Sequence, residues 1–234
     1  MHEGNFQDSD KYVRPPHDPP LPNHDPSKQL EDKLVEYVLA NAKAGDAEDV
    51  VRKVDEFCAK NWMMHLGPEK GNIIKTEALD KYKPKKIFEL GLYCGYSSTF
   101  FAACLPEAEV HSIEISEEFA SYGRQVVKHA GVENRVHVHM GTVETLEQVI
   151  KKEGPFDMIF IDHEKLLYLP DFQLLEGYGV VGKDCVVVSD NMLRSGTDQH
   201  LEHFKASKDY ESVLFNSRLE YTDEIDAVLV SRKL

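Results

Sequence analysis

The stretch FDMIFIDHEKLLYLPD (residues 156–171) carries the fold. Residues 158–161 form an unbroken apolar run that reads as a short strand buried on both faces. The run then stops on four ionisable residues in a row, Asp162, His163, Glu164 and Lys165. A strand buried on both faces belongs in a parallel sheet covered by helices. In such sheets ligands bind outside the carboxyl ends of the strands, so a charged strand end is a candidate site.

The same rhythm extends to either side. KIFELG (86–91), EVHSIEI (109–115), RVHVHMG (135–141) and DCVVVSDN (184–191) read as further strands, with helices expected over 97–104, 116–130, 143–152, near 170–177 and over 197–207. Strands are expected over 210–221 and 225–233 at the end of the chain. No crossover helix fits between them, so they should run antiparallel. Upstream, apolar residues at helical spacing predict helices within 28–43 and over 46–61 and 69–82, with Pro84 as the stop. Strands alternating with helices define an α/β chain with a mainly parallel sheet covered on both faces.

Composition limits the partners. The chain has 234 residues, enough for one sizeable domain over 28–234. Residues 1–27 hold six of the eleven prolines and few large apolar side chains, which predicts a flexible arm. A net charge of −14 without a basic run argues against nucleic acid or an anionic membrane as partner. Cys58, Cys94, Cys104 and Cys185 lack paired spacing and read as reduced thiols. No signal core or membrane-length run is present, so the expected setting is cytoplasmic.

Four features carry chemistry. The loop ELGLYCGYSS (89–98) follows a strand and opens a helix, with Gly91 and Gly95 allowing tight turning and close approach to a ligand. It lacks G-x-G-x-x-G, and Tyr93 stands where a pyrophosphate needs room, which argues against a nicotinamide oxidoreductase. Glu89, just before the loop, suits a cationic or amine-bearing ligand. Glu114, at the next strand end, is placed for the ribose hydroxyls of a nucleoside. Asp162, Asp190 and Asn191 lie at neighbouring strand ends and offer hard oxygen donors suited to Mg²⁺ rather than zinc. Lys165, three residues past Asp162, could act as a base. The pairs His137/His139 and His200/His203 read as surface or packing residues.

With these residues in view, the chain resembles the catechol O-methyltransferase family from about residue 30 to its end. The likeness rests on WMMHLGPEKG (62–71), ELGLYCGYS (89–97), IEI (113–115), DHEK with YLPD (162–171), SDN (189–191) and LEY (219–221). It implies S-adenosylmethionine as methyl donor, Mg²⁺, and a Rossmann-like seven-stranded sheet, mainly parallel with the last strand antiparallel, plus extra N-terminal helices. Carried over, Asp162, Asp190 and Asn191 would hold the metal and Lys165 would be the base. Glu220 would hydrogen-bond the hydroxyl that is not methylated. Glu89, Tyr93, Ser97, Glu114, Ile115, Asp162 and His163 would line the donor pocket, closed by Met64 and Leu66. Trp62 would wall the catechol ring, beside Lys165, Asn191 and Glu220. The expected partner is a small catechol or related diol, and the expected state a monomer or weak homodimer.

Three departures from the family's pattern, one of them a residue pair, stand out. Glu164 replaces a Trp that packs on donor and catechol, and Ser195 replaces a gating Pro. Val143-Glu144 replaces the Ser-Gln pair at the adenine, where Glu144 can accept a hydrogen bond but not donate one. The catalytic set is intact while the rim is altered. This keeps open another vicinal-diol phenolic, of caffeoyl or flavonoid type, and a silent protein that only binds the donor.

Overall fold

A computed structural model of the chain describes residues 6–7 and 29–234. The expected flexible arm over 1–27 lies, apart from residues 6–7, outside the described residues. In chain order the elements are β1 (Phe6–Gln7), α1 (Leu30–Asn41), α2 (Ala47–Cys58), α3 (Gly67–Ile74), a π-type turn (Lys75–Leu79), α4 (Asp80–Tyr82), β2 (Lys86–Leu90), α5 (Tyr96–Cys104), β3 (Glu109–Glu114), α6 (Glu117–His129), β4 (Val136–Met140), α7 (Glu147–Glu153), β5 (Phe156–Ile161), a 3₁₀ turn (Lys165–Leu167), α8 (Tyr168–Gly177), β6 (Val181–Ser189), α9 (Asp198–Ala206), β7 (Tyr210–Arg218) and β8 (Ile225–Lys233).

The sheet order is β1-β7-β8-β6-β5-β2-β3-β4. Of the described strands β8 alone is reversed, pairing antiparallel with β6 and β7. All seven expected strands are present, and two-residue β1 adds a parallel edge to β7. Strand β5 shows why the sheet is covered on both faces. Met158 and Phe160 pack into a core with α1, α2, α3, α5 and α6. Ile159 and Ile161 pack into a second core with α7, α8 and α9. The period-2 alternation of strand side chains splits one apolar run between two helical layers, each buried residue contributing about 1.5–3 kcal/mol.

Local chemistry sets the boundaries. Asp46 caps α2 by accepting from Asp49 N, and Ser116 caps α6 by accepting from Phe119 N. The helix expected over 143–152 begins only at Glu147. Thr142 and Thr145 each accept the other's backbone N–H (2.9 and 3.2 Å), which favours a turn there. The strand expected over 210–221 stops at Arg218, and the turn that follows carries Glu220 to the acidic edge.

That edge is built by adjacent strands. Asp162 N donates to Leu90 O (3.1 Å) and Asp190 N to Ile161 O (3.0 Å), so the ends of β2, β5 and β6 align. Gly91 sits at φ +98°, and a Cβ there would lie 2.7 Å from the carbonyl oxygen of Asp162. Gly95, at φ +77°, lies similarly against Gly123 of α6. Both glycines were expected to make room for a ligand; the structure shows that the chain's own backbone already needs that room.

Candidate active site

Asp162, Asp190 and Asn191 come from adjacent strand ends. Asn191 takes φ +55°, a left-handed conformation that Asn tolerates. Its Nδ2 donates to Asp226 Oδ2 (2.8 Å), which leaves Oδ1 available to a cation. Lys165 Nζ donates to Asp162 Oδ1 and to His163 O, both at 3.1 Å.

The centre of the edge is a residue that sequence reasoning missed. Lys70 of α3 is fully buried, with Nζ 2.9 Å from Asp190 Oδ1, 2.9 Å from Asp226 Oδ2 and 2.6 Å from Glu220 Oε1. Burial pushes the ammonium towards neutrality, but Asp190, Glu220 and Asp226 outweigh it and hold its pKa well above the usual value. The carboxylates that share this ammonium respond in opposite ways. Burial drives Asp190 well above the usual carboxylate range; Lys70 opposes it, and Asp162, Glu220 and Asp226 add to the rise. Asp226 is also penalised by burial, yet Lys70 and the Asn191 amide carry it below its usual value. The geometry favours an ionised Asp226 facing a charged Lys70, with Asp190 the carboxyl that resists ionisation. Four carboxylates, at 162, 190, 220 and 226, meet the ammonium groups of Lys70 and Lys165, so the edge is over-supplied with negative charge. Lys70 Nζ donates to Asp190 Oδ2 (3.0 Å), and Asp190 Oδ1 and Glu220 Oε1 face the same ammonium as ion-pair partners.

Two carboxylates, an amide oxygen and surplus negative charge fit a hard divalent cation. They do not resemble a sulfur- and imidazole-rich zinc centre.

On the neighbouring strands, Glu89 is wholly buried and accepts from the hydroxyls of Ser97 and Ser98. Burial raises its pKa to about 7; the Ser112, Ser97 and Ser98 hydroxyls oppose the rise and Asp162 adds to it. Glu114 ties the glycine loop to β3 by accepting from Tyr93 N (3.0 Å), Ile115 N (2.9 Å) and Ser116 N (3.0 Å). A carboxylate accepts about four hydrogen bonds. Only one direct bond is therefore left for a ligand, whereas the sequence suggested two. Tyr93, at φ +47°, sends its hydroxyl to Glu31 of α1 (2.6 Å). His163 Nε2 pairs with Asp171 (2.9 Å), while its buried Nδ1 has no partner among the described residues. Leu66 is buried, whereas Met64, Ile115 and Glu144 are exposed.

Trp62 Nε1 donates to Glu220 O (3.1 Å), joining the expected ring wall to the expected hydroxyl partner. Behind them, His65 stacks on Tyr221 and meets Tyr96 edge-on. Burial pushes its imidazole towards neutrality, but Asp55, Cys58 and Glu220 raise its pKa to about 10. Glu164 and Ser195 are exposed. His200 accepts or donates at Ser189 Oγ (2.9 Å) inside an aromatic cluster with Tyr168, Phe172 and Phe204, as expected for a packing histidine.

Missing from the expectations were Lys70, Asp226 and His65. Lys70 and Asp226 lie in an amphipathic helix and an apolar strand and become partners only across 156 residues of chain.

A nucleoside-suited loop and an acidic carboxyl edge on a sheet with one reversed strand define the class of S-adenosylmethionine-dependent methyltransferases. The profile of the O-methyltransferase family matches residues 42–233. The chain is 36% identical to catechol O-methyltransferase B of Danio rerio, over 84% of this chain and 76% of that one. It is 34% identical to the catechol O-methyltransferase of Mus musculus, over 85% and 76%. A Bacillus cereus O-methyltransferase, solved with S-adenosylhomocysteine, superposes with a TM-score of 0.68 at 21% identity, covering 88% of this chain and all of that one. This chain belongs to the O-methyltransferase family and is an S-adenosylmethionine-dependent enzyme of the catechol O-methyltransferase type. No helix among the described residues is long and apolar enough to cross a membrane.

Proposed function

We propose that the protein transfers a methyl group from S-adenosylmethionine to one hydroxyl of a catechol, with Mg²⁺ at the acidic edge. The observation that carries this reading is the convergence of Asp162, Asp190 and Asn191, with surplus negative charge, beside Lys165. Asp162, Asp190 and the Asn191 carbonyl would hold the metal. A bound divalent ion lowers the pKa of the oxygens it holds and fixes two adjacent hydroxyls in one geometry. S-adenosylmethionine supplies an already electrophilic methyl group on a sulfonium.

The chain's own part is binding, orientation and one proton. Glu89 and Ser97 face the donor's charged amino-acid end, Glu114 takes one ribose hydroxyl, and His163 closes the pocket. Trp62 packs on the acceptor ring. Glu220 accepts from the hydroxyl that stays unmethylated. Lys165, which here pairs as an ammonium with Asp162, would have to act as the neutral amine, its proton lost once a divalent ion takes Asp162, and so accept the proton of the reacting hydroxyl. The oxygen then bonds to the methyl carbon as the carbon–sulfur bond breaks, leaving S-adenosylhomocysteine.

The exposed carboxylate at Glu164 favours a second reading of the acceptor. A catechol stacked under an aromatic gate has less to pack on here, so a bulkier vicinal diol of caffeoyl or flavonoid type is the alternative. The test is a panel at saturating donor and Mg²⁺: catechol, a caffeoyl ester, a flavonoid diol and phenol. Methylation of any vicinal diol with none of phenol supports the chemistry, and the best diol names the acceptor. Equal rates for phenol and catechol refute it.

A further inference from the structure

A second cluster of ligating side chains lies at the opposite end of the sheet. Glu109 opens β3, His111 follows two residues later, and His137 of β4 is the register partner of His111. Residues two apart on a strand share a face, and so do directly paired residues on neighbouring strands, so all three side chains project to one side. One ligand atom from each, two imidazole nitrogens and a carboxylate oxygen, lie within 4.8 Å of one another.

The central ring is incomplete as it stands. His111 is 4% exposed, and its Nε2 has no hydrogen-bond partner among the described residues. The nearest carboxylate oxygen, Glu109 Oε2, is 3.8 Å away, too far for a hydrogen bond. The other ring nitrogen, Nδ1, lies 3.3 Å from Nε2 of His139. If Nδ1–H donates there, Nε2 holds a bare lone pair. If His139 donates instead, Nε2–H is a buried donor without an acceptor. A buried polar atom left so is costly, and the first arrangement is the one that metal-bound histidines use, with the second nitrogen anchored by an outer partner.

We propose that Glu109, His111 and His137 form a binding site for a borderline transition-metal ion, with Zn²⁺ as the type, at the amino end of β3 and β4. Two imidazoles and one carboxylate with an open position make a recognised zinc donor set. The sequence pairs His137 with His139 as surface or packing residues; Glu109 and His111 belong to another strand and come beside His137 only through sheet pairing. Tetrahedral zinc sets its ligand atoms about 3.3 Å apart, so the cluster must tighten. Glu109, with about half its side chain exposed, is free to swing in. β4 is the outermost strand on its side of the sheet. The ion would staple it to β3, whose far end carries Glu114.

The test uses the full chain, stripped with EDTA and held in millimolar Mg²⁺ so that the hard-oxygen edge is occupied. Zn²⁺ is titrated by calorimetry and Co²⁺ by visible absorption. The expected result is one equivalent of Zn²⁺, a tetrahedral Co²⁺ spectrum without thiolate bands, and a raised melting temperature. His137→Ala should weaken zinc binding at least ~10-fold, and Glu109→Gln should weaken it as well. Both positions are more exposed than His111, and their metal-free melting curves check the fold. No zinc binding in Mg²⁺, thiolate bands in the cobalt spectrum, or unchanged affinity in His137→Ala overturns the proposal.

Discussion

Replacing Glu89 with Gln should separate the stability of this fold from its function. Glu89 is wholly buried between Ser97 and Ser98, and burial raises its pKa from an ordinary 4.5 to about 7. Each tenfold change in proton affinity is worth about 1.4 kcal/mol, so holding this carboxylate ionised costs the donor-free protein about 3 kcal/mol. The folded chain binds the proton more tightly than the unfolded chain. Stability is therefore greatest below about pH 4.5, falls as pH rises towards 7, and is then level in this contribution. The Gln side chain has the same shape, keeps one oxygen for a serine hydroxyl and cannot ionise. In urea titrations at pH 5 and pH 8, the variant should gain up to about 3 kcal/mol on the wild type between the two, since other titrating groups cancel in the difference. Donor affinity should move the other way. It should rise through about pH 7 in the wild type as Glu89 ionises and be weak at all pH values in the variant. A wild-type-minus-variant difference that does not change between pH 5 and pH 8 refutes the reasoning.

Three further substitutions probe the acidic edge. Lys70→Met leaves Asp190, Glu220 and Asp226 without their shared ammonium and should cost about 3–5 kcal/mol in urea unfolding; a loss below 1 kcal/mol shows that the carboxylates relax without it. Gly91→Ala puts a Cβ 2.7 Å from the Asp162 carbonyl at φ +98° and should cost about 1–3 kcal/mol, with a larger fractional loss of activity than of donor binding. Unchanged stability and activity would mean that the loop and Asp162 adjust without strain. Lys165→Ala should lower kcat by ~10²–10⁴ with donor affinity retained, and a merely twofold drop removes it from the proton transfer.

The parts legible in the sequence were those fixed by local pattern. The apolar run before Asp162, the repeated strand–turn–helix rhythm and the missing crossover before residue 225 give the sheet and its reversed strand. Asp162, Asp190 and Asn191 were legible because strand ends in a parallel sheet share one edge. What escaped depends on contacts distant in sequence. Lys70 looks like a solvated helix lysine until α3 is seen buried against β7 and β8. Glu114 reads as a ribose acceptor, but three backbone N–H groups already occupy most of its capacity. Gly91 and Gly95 read as space for a ligand, yet Asp162 and Gly123 fill that space. The Thr142–Thr145 turn shortened a helix that periodicity alone extends.

The central claim is that the acidic edge works as a metal-dependent methyl-transfer site. The most direct measurement incubates the purified chain with S-adenosylmethionine and catechol, in Mg²⁺ or in EDTA, and weighs the products by mass spectrometry. Singly methylated catechol in Mg²⁺ and none in EDTA is the predicted result. Equal product in both would contradict a metal at Asp162, Asp190 and Asn191.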